Sequence, residues 1–305
     1  MCSWARILSF EDGSFLMKNL VDTSPRKLIE GVSIGPLGYG CWRLVNMTVT
    51  AARTRIELAL ENGMILIDTA DVYGLDWGGK AFGSAEELLG QVFKDAPELR
   101  SQMVLASKGG IVPGVPYNSA YLEEACEASL KRLGVEQLDL YQIHRPDLLT
   151  HPLETARVLE NLRTSGKVRA FGVSNYLPSQ TQALMTHLPD GIVSQQPEYS
   201  VLSLKPLFDG TLDQCMAFNQ LVLAWSPLAG GKLATEDGLS PELAKVLRTL
   251  ADRESVDLAS ICLAFVLAHP SRPVALIGSI DPNHIAASAA ALRVNLDRTD
   301  VYRII

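Results

Sequence analysis

The chain has 305 residues, 47% of them hydrophobic, and its 27 basic and 34 acidic side chains give a net charge of −7. No cluster of lysine or arginine stands out, which argues against nucleic acid or an anionic membrane surface as a partner. No apolar run approaches the ~18 residues that a membrane helix needs. The five cysteines are widely spaced and odd in number, so the sequence predicts a cytoplasmic protein with neither a disulfide framework nor a metal site.

In chain order, eight short apolar runs of strand length alternate with segments of helical periodicity. The runs cover residues 33–37, 64–68, 103–107, 138–143, 168–173, 191–195, 221–225 and 274–277. Strict alternation of strand and helix predicts an α/β protein with a parallel sheet, and eight repeats predict closure into a (β/α)8 TIM barrel. A doubly wound open sheet is the alternative. It is disfavoured because the reactive side chains follow nearly all of the runs instead of gathering at one switch point.

The ends of the chain and of the helices carry further signals. Residues 1–15 have no apolar stretch of signal-peptide length, so we expect residues 1–20 to be a peripheral segment before a single barrel domain at 21–305. Ser84 with Glu87 has the pattern of a capping box, Pro152 suits a first helical turn, and Gly134 suits a helix C-terminus. Residues 226–241 lack apolar periodicity and predict a long loop after the seventh strand, which could act as a lid.

Reactive side chains stand where several of these runs end. Asp68 closes the second run and Tyr73 comes five residues later, while Lys108 and His144 follow the third and fourth runs. Trp225 closes the seventh. Because the carboxyl ends of barrel strands meet at one mouth, we expect these side chains to share one site.

The four polar residues form a set suited to carbonyl reduction. The oxygen of a carbonyl that receives hydride must be protonated, and Tyr73 could donate that proton if a nearby Lys108 ammonium lowered its pKa. Asp68 could keep Lys108 charged, and His144 could donate a hydrogen bond to the carbonyl oxygen. Each residue taken alone has a plainer interpretation: Asp68 as a helix cap, Tyr73 as a core aromatic and His144 as a structural histidine.

At these positions the sequence resembles the aldo-keto reductase superfamily. The matching motifs are D-T-A-D-V-Y-G at 68–74, S-L-K-R-L at 129–133 with D-L-Y-Q-I-H at 139–144, G-K-V-R at 166–169 with F-G-V-S-N at 171–175, and W-S-P-L-A-G at 225–230. They are similar to those of the general aldo/keto reductases of bacteria, and the likeness runs from about residue 34 to residue 292. The resemblance implies a barrel that binds a nicotinamide cofactor without a Rossmann fold.

The resemblance also implies a role for each site residue. Tyr73 would be the proton donor, Lys108 would tune its pKa, Asp68 would pair with Lys108, and His144 would orient the substrate, a small carbonyl compound. Near its nicotinamide the cofactor would be held by Ser174, Asn175, Gln196 and Trp225. Near its pyrophosphate it would meet Ser226, Leu228 and Gly230, and near its adenosine Gly278, Ser279 and His284. Asp68 would also contact the cofactor, and Trp42 would line the cofactor or substrate pocket. Gly38, Tyr39 and Gly40 would form a loop after the first strand.

The sequence departs from the family pattern at the adenosine end. His284 stands where many members have arginine, Ala287 and Ser288 replace Glu-Asn, and Asp281 could repel a 2′-phosphate. We therefore expect NADPH as the cofactor, held more loosely than by members with arginine, with NADH as the alternative. Candidates for the substrate rim are Asp71, Leu75, Trp77 and Arg145.

Two other functions are compatible with the sequence. A regulatory subunit of the same superfamily is one, although its channel-associated branch has asparagine where this chain has His144. A lyase or aldolase that forms a Schiff base on Lys108 is the other, but it would leave the cofactor motifs unexplained. The reaction could also run oxidatively, as in a lactol dehydrogenase. The sequence does not fix the oligomeric state and is compatible with a monomer.

Overall fold

The structure is a computed structural model that describes residues 18–75, 79–111 and 119–305. Its strands are β1 (Arg26–Ile29), β2 (Val32–Ile34), β3 (Leu37–Gly40), β4 (Leu66–Asp68), β5 (Val104–Gly109), β6 (Leu140–Ile143), β7 (Phe171–Ser174), β8 (Ser194–Gln196), β9 (Leu221–Ala224) and β10 (Val274–Ile277). Its helices are α1 (Val49–Glu61), α2 (Ser84–Asp95), α3 (Ser119–Leu133), α4 (Pro152–Thr164), α5 (Pro178–Met185), α6 (Lys205–Phe208), α7 (Thr211–Ala217), α8 (Pro241–Glu254), α9 (Leu258–Leu267), α10 (Pro282–Ala287) and α11 (Arg298–Ile304).

Strands β3 to β10 form a closed barrel in which every neighbouring pair is parallel. Closure is made between β10 and β3, where Ala275 lies opposite Leu37. The predicted (β/α)8 barrel is confirmed, and the open sheet is excluded because its two outer strands would stay unpaired. Among the described residues, no helix is long and apolar enough to cross a membrane.

The first predicted strand is wrong in its placement. Val32–Ile34 belongs to β2, which pairs antiparallel with β1 as a hairpin, and the first barrel strand begins only at Leu37. Gly38 and Gly40 therefore lie in a strand and not in a loop. A Cβ at Gly38 would lie 2.9 Å from Leu276 Cδ2 and 3.3 Å from Leu66 Cδ2. Glycine is required at this position because the neighbouring strands leave no room for a side chain. From the sequence alone, such a glycine looks the same as one that marks a turn.

Three of the predicted helix signals can be compared with the structure. Pro152 is the first residue of α4, and Gly134 follows the end of α3 with φ of +67°, as expected. The capping box is wrong, because Gly83 is the N-cap of α2 and the Ser84 hydroxyl instead donates to Ala81 O at 2.6 Å. The segment 226–241 is mainly loop, with one 3-10 helix at Ala229–Ala234, and α8 begins at Pro241.

Apolar side chains fill the amino end of the barrel. Leu28 and Ile34 of the hairpin belong to one buried cluster with Leu66, Val104 and Leu140, the first residues of β4, β5 and β6. Burial of this cluster is favourable in proportion to the apolar area removed from water. Five buried polar side chains lie at or near the carboxyl ends of the barrel strands: Asp68, Lys108, Gln142, Ser174 and Gln196. The barrel therefore has an apolar closed end and a polar mouth.

Candidate active site

A buried ion pair between Lys108 and Asp68 lies at the centre of the mouth. Asp68 ends β4 beside Ala106 of β5, which brings Lys108 two residues further along the same strand. Lys108 Nζ donates to Asp68 Oδ2 at 2.5 Å and to Thr69 O at 2.8 Å, and the side chain of Lys108 is 0% exposed. Because isolated charges are costly to bury, each partner requires the other to stay in place.

Two glutamines complete the environment of Asp68. Its second oxygen, Oδ1, accepts hydrogen bonds from Gln142 Nε2 at 3.2 Å and from Gln196 Nε2 at 3.1 Å. Gln196 was predicted as a cofactor residue, whereas Gln142 was missed. Its signal in the sequence is a polar residue inside an otherwise apolar strand. Both amides donate to this oxygen and so fix the orientation of the carboxylate.

Tyr73 lies beside this pair on the turn that follows β4. The turn is tight, since Gly74 has φ of +112° and a Cβ there would lie 2.6 Å from Ser84 Cβ. Lys108 Nζ lies 4.9 Å from the centre of the Tyr73 ring. Burial raises the pKa of Tyr73 to about 12, and the charge of Lys108 acts second and lowers it. The ammonium thus acts in the expected direction, but burial outweighs it and the phenol keeps its proton.

His144 follows β6 on the other side of Tyr73. Its backbone N–H donates to Gly109 O at 2.8 Å, and its ring meets the ring of Tyr73 edge to face with 5.9 Å between centres. Burial, and then the charges of Lys108 and Arg145, hold the pKa of His144 well below its usual value. The imidazole is therefore neutral, and its Nδ1 is buried without a hydrogen-bond partner among the described residues. A neutral ring with unused hydrogen-bonding capacity suits the orientation of a polar ligand.

Four of the residues predicted to hold the cofactor form one network next to His144. Ser174 Oγ donates to Gln196 O at 2.9 Å, and Asn175 Nδ2 donates to His144 O at 3.1 Å. Trp225 Nε1 donates to Asn175 Oδ1 at 3.1 Å. Asn175 adopts φ of +59°, a left-handed conformation that asparagine tolerates better than most residues. These contacts fix polar groups and the edge of an indole at the ends of β7, β8 and β9.

The loop after β9 is a compact turn with left-handed backbone. Ser226 has φ of +52°, and its hydroxyl accepts a hydrogen bond from Gly230 N at 3.0 Å. Gly230 and Gly231 have φ of +73° and +104°, which glycine adopts without steric cost. Leu228 is half-buried and packs against the core. The predicted pyrophosphate residues are thus held together in one turn.

Arg43 was not predicted, yet it connects this loop to the next one. One of its terminal nitrogens donates to Gly230 O at 3.2 Å and the other to Gly278 O at 3.1 Å. The guanidinium also lies over the ring of Trp42, 4.9 Å from its centre. A cation directly after Trp42, in the turn that follows the first barrel strand, is the sequence signal that could have identified it.

The adenosine end is more open. Ser279 Oγ lies 3.5 Å from His284 Nδ1, and both residues are at least partly exposed. The Asp281 carboxylate caps α10 by accepting from Asn283 N at 2.8 Å. Ser279 accepts a hydrogen bond from Asp281 N at 3.2 Å. The predicted residues are brought together here, but by few and long contacts.

The rim residues differ from one another. Leu75 is 47% exposed and Arg145 is exposed, as expected of a rim, whereas Trp77 lies outside the described residues. The prediction for Asp71 is wrong, because its side chain is 0% exposed. The turn after β4 folds back on β5, with Asp71 N donating to Lys108 O at 3.0 Å, and this buries the carboxyl near Tyr121 and Glu86. Burial, and then the charge of Glu86, raises the pKa of Asp71 well above its usual value.

Comparison with known proteins agrees with this arrangement. The chain is 42% identical over 280 residues to a 6-dehydroglucose reductase of Novosphingobium aromaticivorans, covering 90% of this chain and 92% of the relative. It is 32% identical to a 6-dehydroglucose reductase of Agrobacterium fabrum, covering 89% and 93%. A crystal structure of an aldo/keto reductase from Klebsiella pneumoniae with NADP and acetate superposes with a TM-score of 0.74 at 26% identity, covering 93% and 94%.

The sequence pattern of the Aldo/keto reductase family matches residues 36–305, nearly the whole barrel. With the closed barrel, the polar mouth and relatives that match along most of their length, the chain belongs to the aldo/keto reductase family.

Proposed function

We propose that this protein is an NADPH-dependent reductase that converts an aldehyde into the corresponding alcohol. The observation that carries the proposal is the buried ion pair of Lys108 and Asp68 beside a protonated Tyr73, with a neutral His144 facing that ring. This set combines a proton donor, a fixed positive charge and a hydrogen-bonding ring around one space. A carbonyl oxygen beside Tyr73 and His144 would meet the proton donor and the ring, with the charge of Lys108 next to the phenol ring.

In the proposed reaction, a reduced nicotinamide held by these residues would supply the hydride for the carbonyl carbon and would itself be oxidised. Tyr73 gives its phenolic proton to the carbonyl oxygen, so the products are an alcohol and a tyrosinate that takes its proton back from solvent. The Lys108 ammonium stabilises the developing tyrosinate, and Asp68 keeps that ammonium charged and in place. His144 holds the carbonyl oxygen by a hydrogen bond as a neutral ring, because its low pKa excludes a role as the acid. In reverse, the same groups would oxidise an alcohol or a lactol.

The residues at the mouth fit a nicotinamide cofactor. Asn175, Gln196 and Trp225 present amide and indole groups beside His144, and the polar edge of a nicotinamide carboxamide can donate to and accept from such groups. The Klebsiella relative was solved with NADP. We therefore assign NADPH to this chain, with Ser226 and Gly230 near the pyrophosphate and Ser279 with His284 near the 2′-phosphate.

The substrate class is proposed from the relatives. Two of them, at 42% and 32% identity, are 6-dehydroglucose reductases. Their named substrate is a sugar that carries a carbonyl at carbon 6, and its reduction yields glucose. We propose that this chain likewise reduces an aldehyde of the sugar class.

The test replaces Tyr73 with Phe, which removes one hydroxyl and leaves the ring. We expect kcat to fall by about 10²–10⁴-fold with D-glyceraldehyde and NADPH, the usual contribution of a general acid. NADPH binding, followed by quenching of tryptophan fluorescence, should stay nearly unchanged. The matched control is Tyr302→Phe, at an exposed tyrosine of α11, which should keep full activity.

A Tyr73→Phe variant with activity close to that of the unmodified protein would remove Tyr73 from the mechanism. Quenching by NADH at lower concentration than NADPH would keep the reductase and reverse the choice of cofactor. Failure of both cofactors to bind would contradict the proposed function as a whole.

A further inference from the structure

A positive charge next to the catalytic set has no fixed partner. Arg145 directly follows His144 at the carboxyl end of β6, and its side chain is exposed at the mouth. Its charge is near enough to lower the pKa of His144. The guanidinium makes no hydrogen bond or ion pair with the residues that the structure describes, unlike Arg43, which holds two loop carbonyls.

The nearby carboxylates are already occupied. Asp147, two residues further on, accepts hydrogen bonds from Leu149 N at 3.0 Å and from Thr150 Oγ1. Asp68 neutralises Lys108 and takes both glutamine amides. Both carboxylates therefore already bind other groups of the protein, and neither is paired with the guanidinium of Arg145. A guanidinium in this position can be satisfied by water or by the substrate.

The chemistry of the guanidinium indicates what it would bind. It is planar, always charged, and presents several N–H donors in a rigid fork that matches two oxygens held side by side. His144 and Tyr73 would hold the carbonyl oxygen, so the carbons next to the carbonyl come closest to the residue that follows His144. A substrate with hydroxyl groups on those carbons offers the fork two neighbouring oxygens, whereas an unsubstituted aldehyde offers none.

We propose that Arg145 is the specificity-determining residue of this site and that it selects aldehydes with hydroxyl groups on the first two carbons after the carbonyl. This inference rests on the proposed reductase function and assigns one residue to the recognition of the hydroxyl groups of its sugar substrate. The neutral hydroxyl class is favoured over the anionic one because the chain has a net charge of −7, which repels anions at long range.

The experiment compares three substrates with the same carbon skeleton: propanal, D-glyceraldehyde and D-glyceraldehyde 3-phosphate. In the unmodified protein, kcat/KM should be highest for D-glyceraldehyde. Arg145→Gln should lower the ratio of kcat/KM for D-glyceraldehyde over propanal by roughly tenfold or more, the loss expected for charge-assisted hydrogen bonds. The change should appear mainly in KM. Arg145→Lys keeps the charge but loses the forked arrangement of donors. Its ratio of kcat/KM should lie between those of the unmodified protein and Arg145→Gln.

The matched control is Arg157→Gln, at an exposed arginine of α4, for which all three substrates should behave as in the unmodified protein. An equal loss for propanal and D-glyceraldehyde in Arg145→Gln would show that Arg145 acts only through His144, and would overturn the proposal. A preference for the phosphorylated substrate that disappears with Arg145 would replace the hydroxyl class by an anionic one.

A second measurement does not depend on turnover. Calorimetric titration with D-glucose, the product of the proposed sugar reduction, should show a Kd roughly tenfold higher for Arg145→Gln than for the unmodified protein. An unchanged Kd would overturn the role of Arg145 even if the protein reduced no aldehyde. If the protein reduced no aldehyde but Arg145→Gln still raised the Kd for D-glucose as expected, only the reductase function would be contradicted.

Discussion

The two ends of the proposed cofactor site are built in different ways. Around the nicotinamide position, Lys108 and Asp68 are buried and joined by a bond of 2.5 Å, and Asp68 is further held by two amides. At the adenosine position, Ser279 and His284 are joined by a contact of 3.5 Å at the surface. The first end is fixed by folding of the barrel itself. We expect the second to gain further contacts only when a ligand binds, so that a residue there can change at little cost to the fold.

The largest expected effect comes from breaking the buried end. Lys108→Met removes the ammonium and leaves Asp68 charged and unpaired, which should lower the free energy of unfolding by about 3–5 kcal/mol. It should also lower kcat by about 10²–10⁴-fold, because the tyrosinate loses its stabilising charge. Urea unfolding and steady-state kinetics measure the two effects. The control Lys94→Met, at an exposed lysine of α2, should change neither.

Stability and chemistry can be separated at this pair. The double variant Asp68→Asn with Lys108→Met removes both charges while an asparagine oxygen can still accept from Gln142 and Gln196. It should regain much of the lost stability but none of the activity. Recovery of activity together with stability would mean that the pair is structural and not part of the chemistry.

A second effect concerns the buried acid behind the turn. Because the pKa of Asp71 is raised in the folded state, the folded protein binds a proton there that the unfolded chain releases near pH 4. The stabilisation from this bound proton is complete at low pH and is lost as the pH rises towards the folded-state pKa of Asp71. Over that range the free energy of unfolding falls by at most about 1.4 kcal/mol per pH unit. Asp71→Asn carries no such proton and should escape this loss.

Urea unfolding of both proteins at a series of pH values measures this difference. The stability of Asp71→Asn relative to the unmodified protein should grow with pH from about pH 4 upwards and then level off. Glu86 and Arg132 face the same buried space and are present in both proteins. A relative stability that does not depend on pH would mean that Asp71 ionises in the fold as readily as in the unfolded chain.

The same contrast explains how much the sequence could predict. Asp68, Lys108 and His144 were identifiable because a parallel strand places its last side chains at a shared mouth, and apolar runs reveal where strands end. The burial of Asp71 was not identifiable, since it depends on the turn folding back onto β5. Gly38 looked like a turn signal because the lack of space beside Leu66 and Leu276 is a property of the packed barrel. Local pattern thus predicts the elements, whereas contacts between repeats need the assembled structure.

The smallest expected effect is at the exposed end, where His284 can be replaced by Arg. An arginine beside Ser279 adds a permanent charge and a fork of donors for a 2′-phosphate, but a pair at the surface gains little because water and salt screen it. The Kd for NADPH should fall by roughly two- to fivefold, while the Kd for NADH and kcat should stay unchanged, as measured by fluorescence quenching and kinetics. A change in kcat as well would mean that the adenosine end is coupled to the nicotinamide end through the barrel. The geometry of the buried end would then not be determined by folding alone.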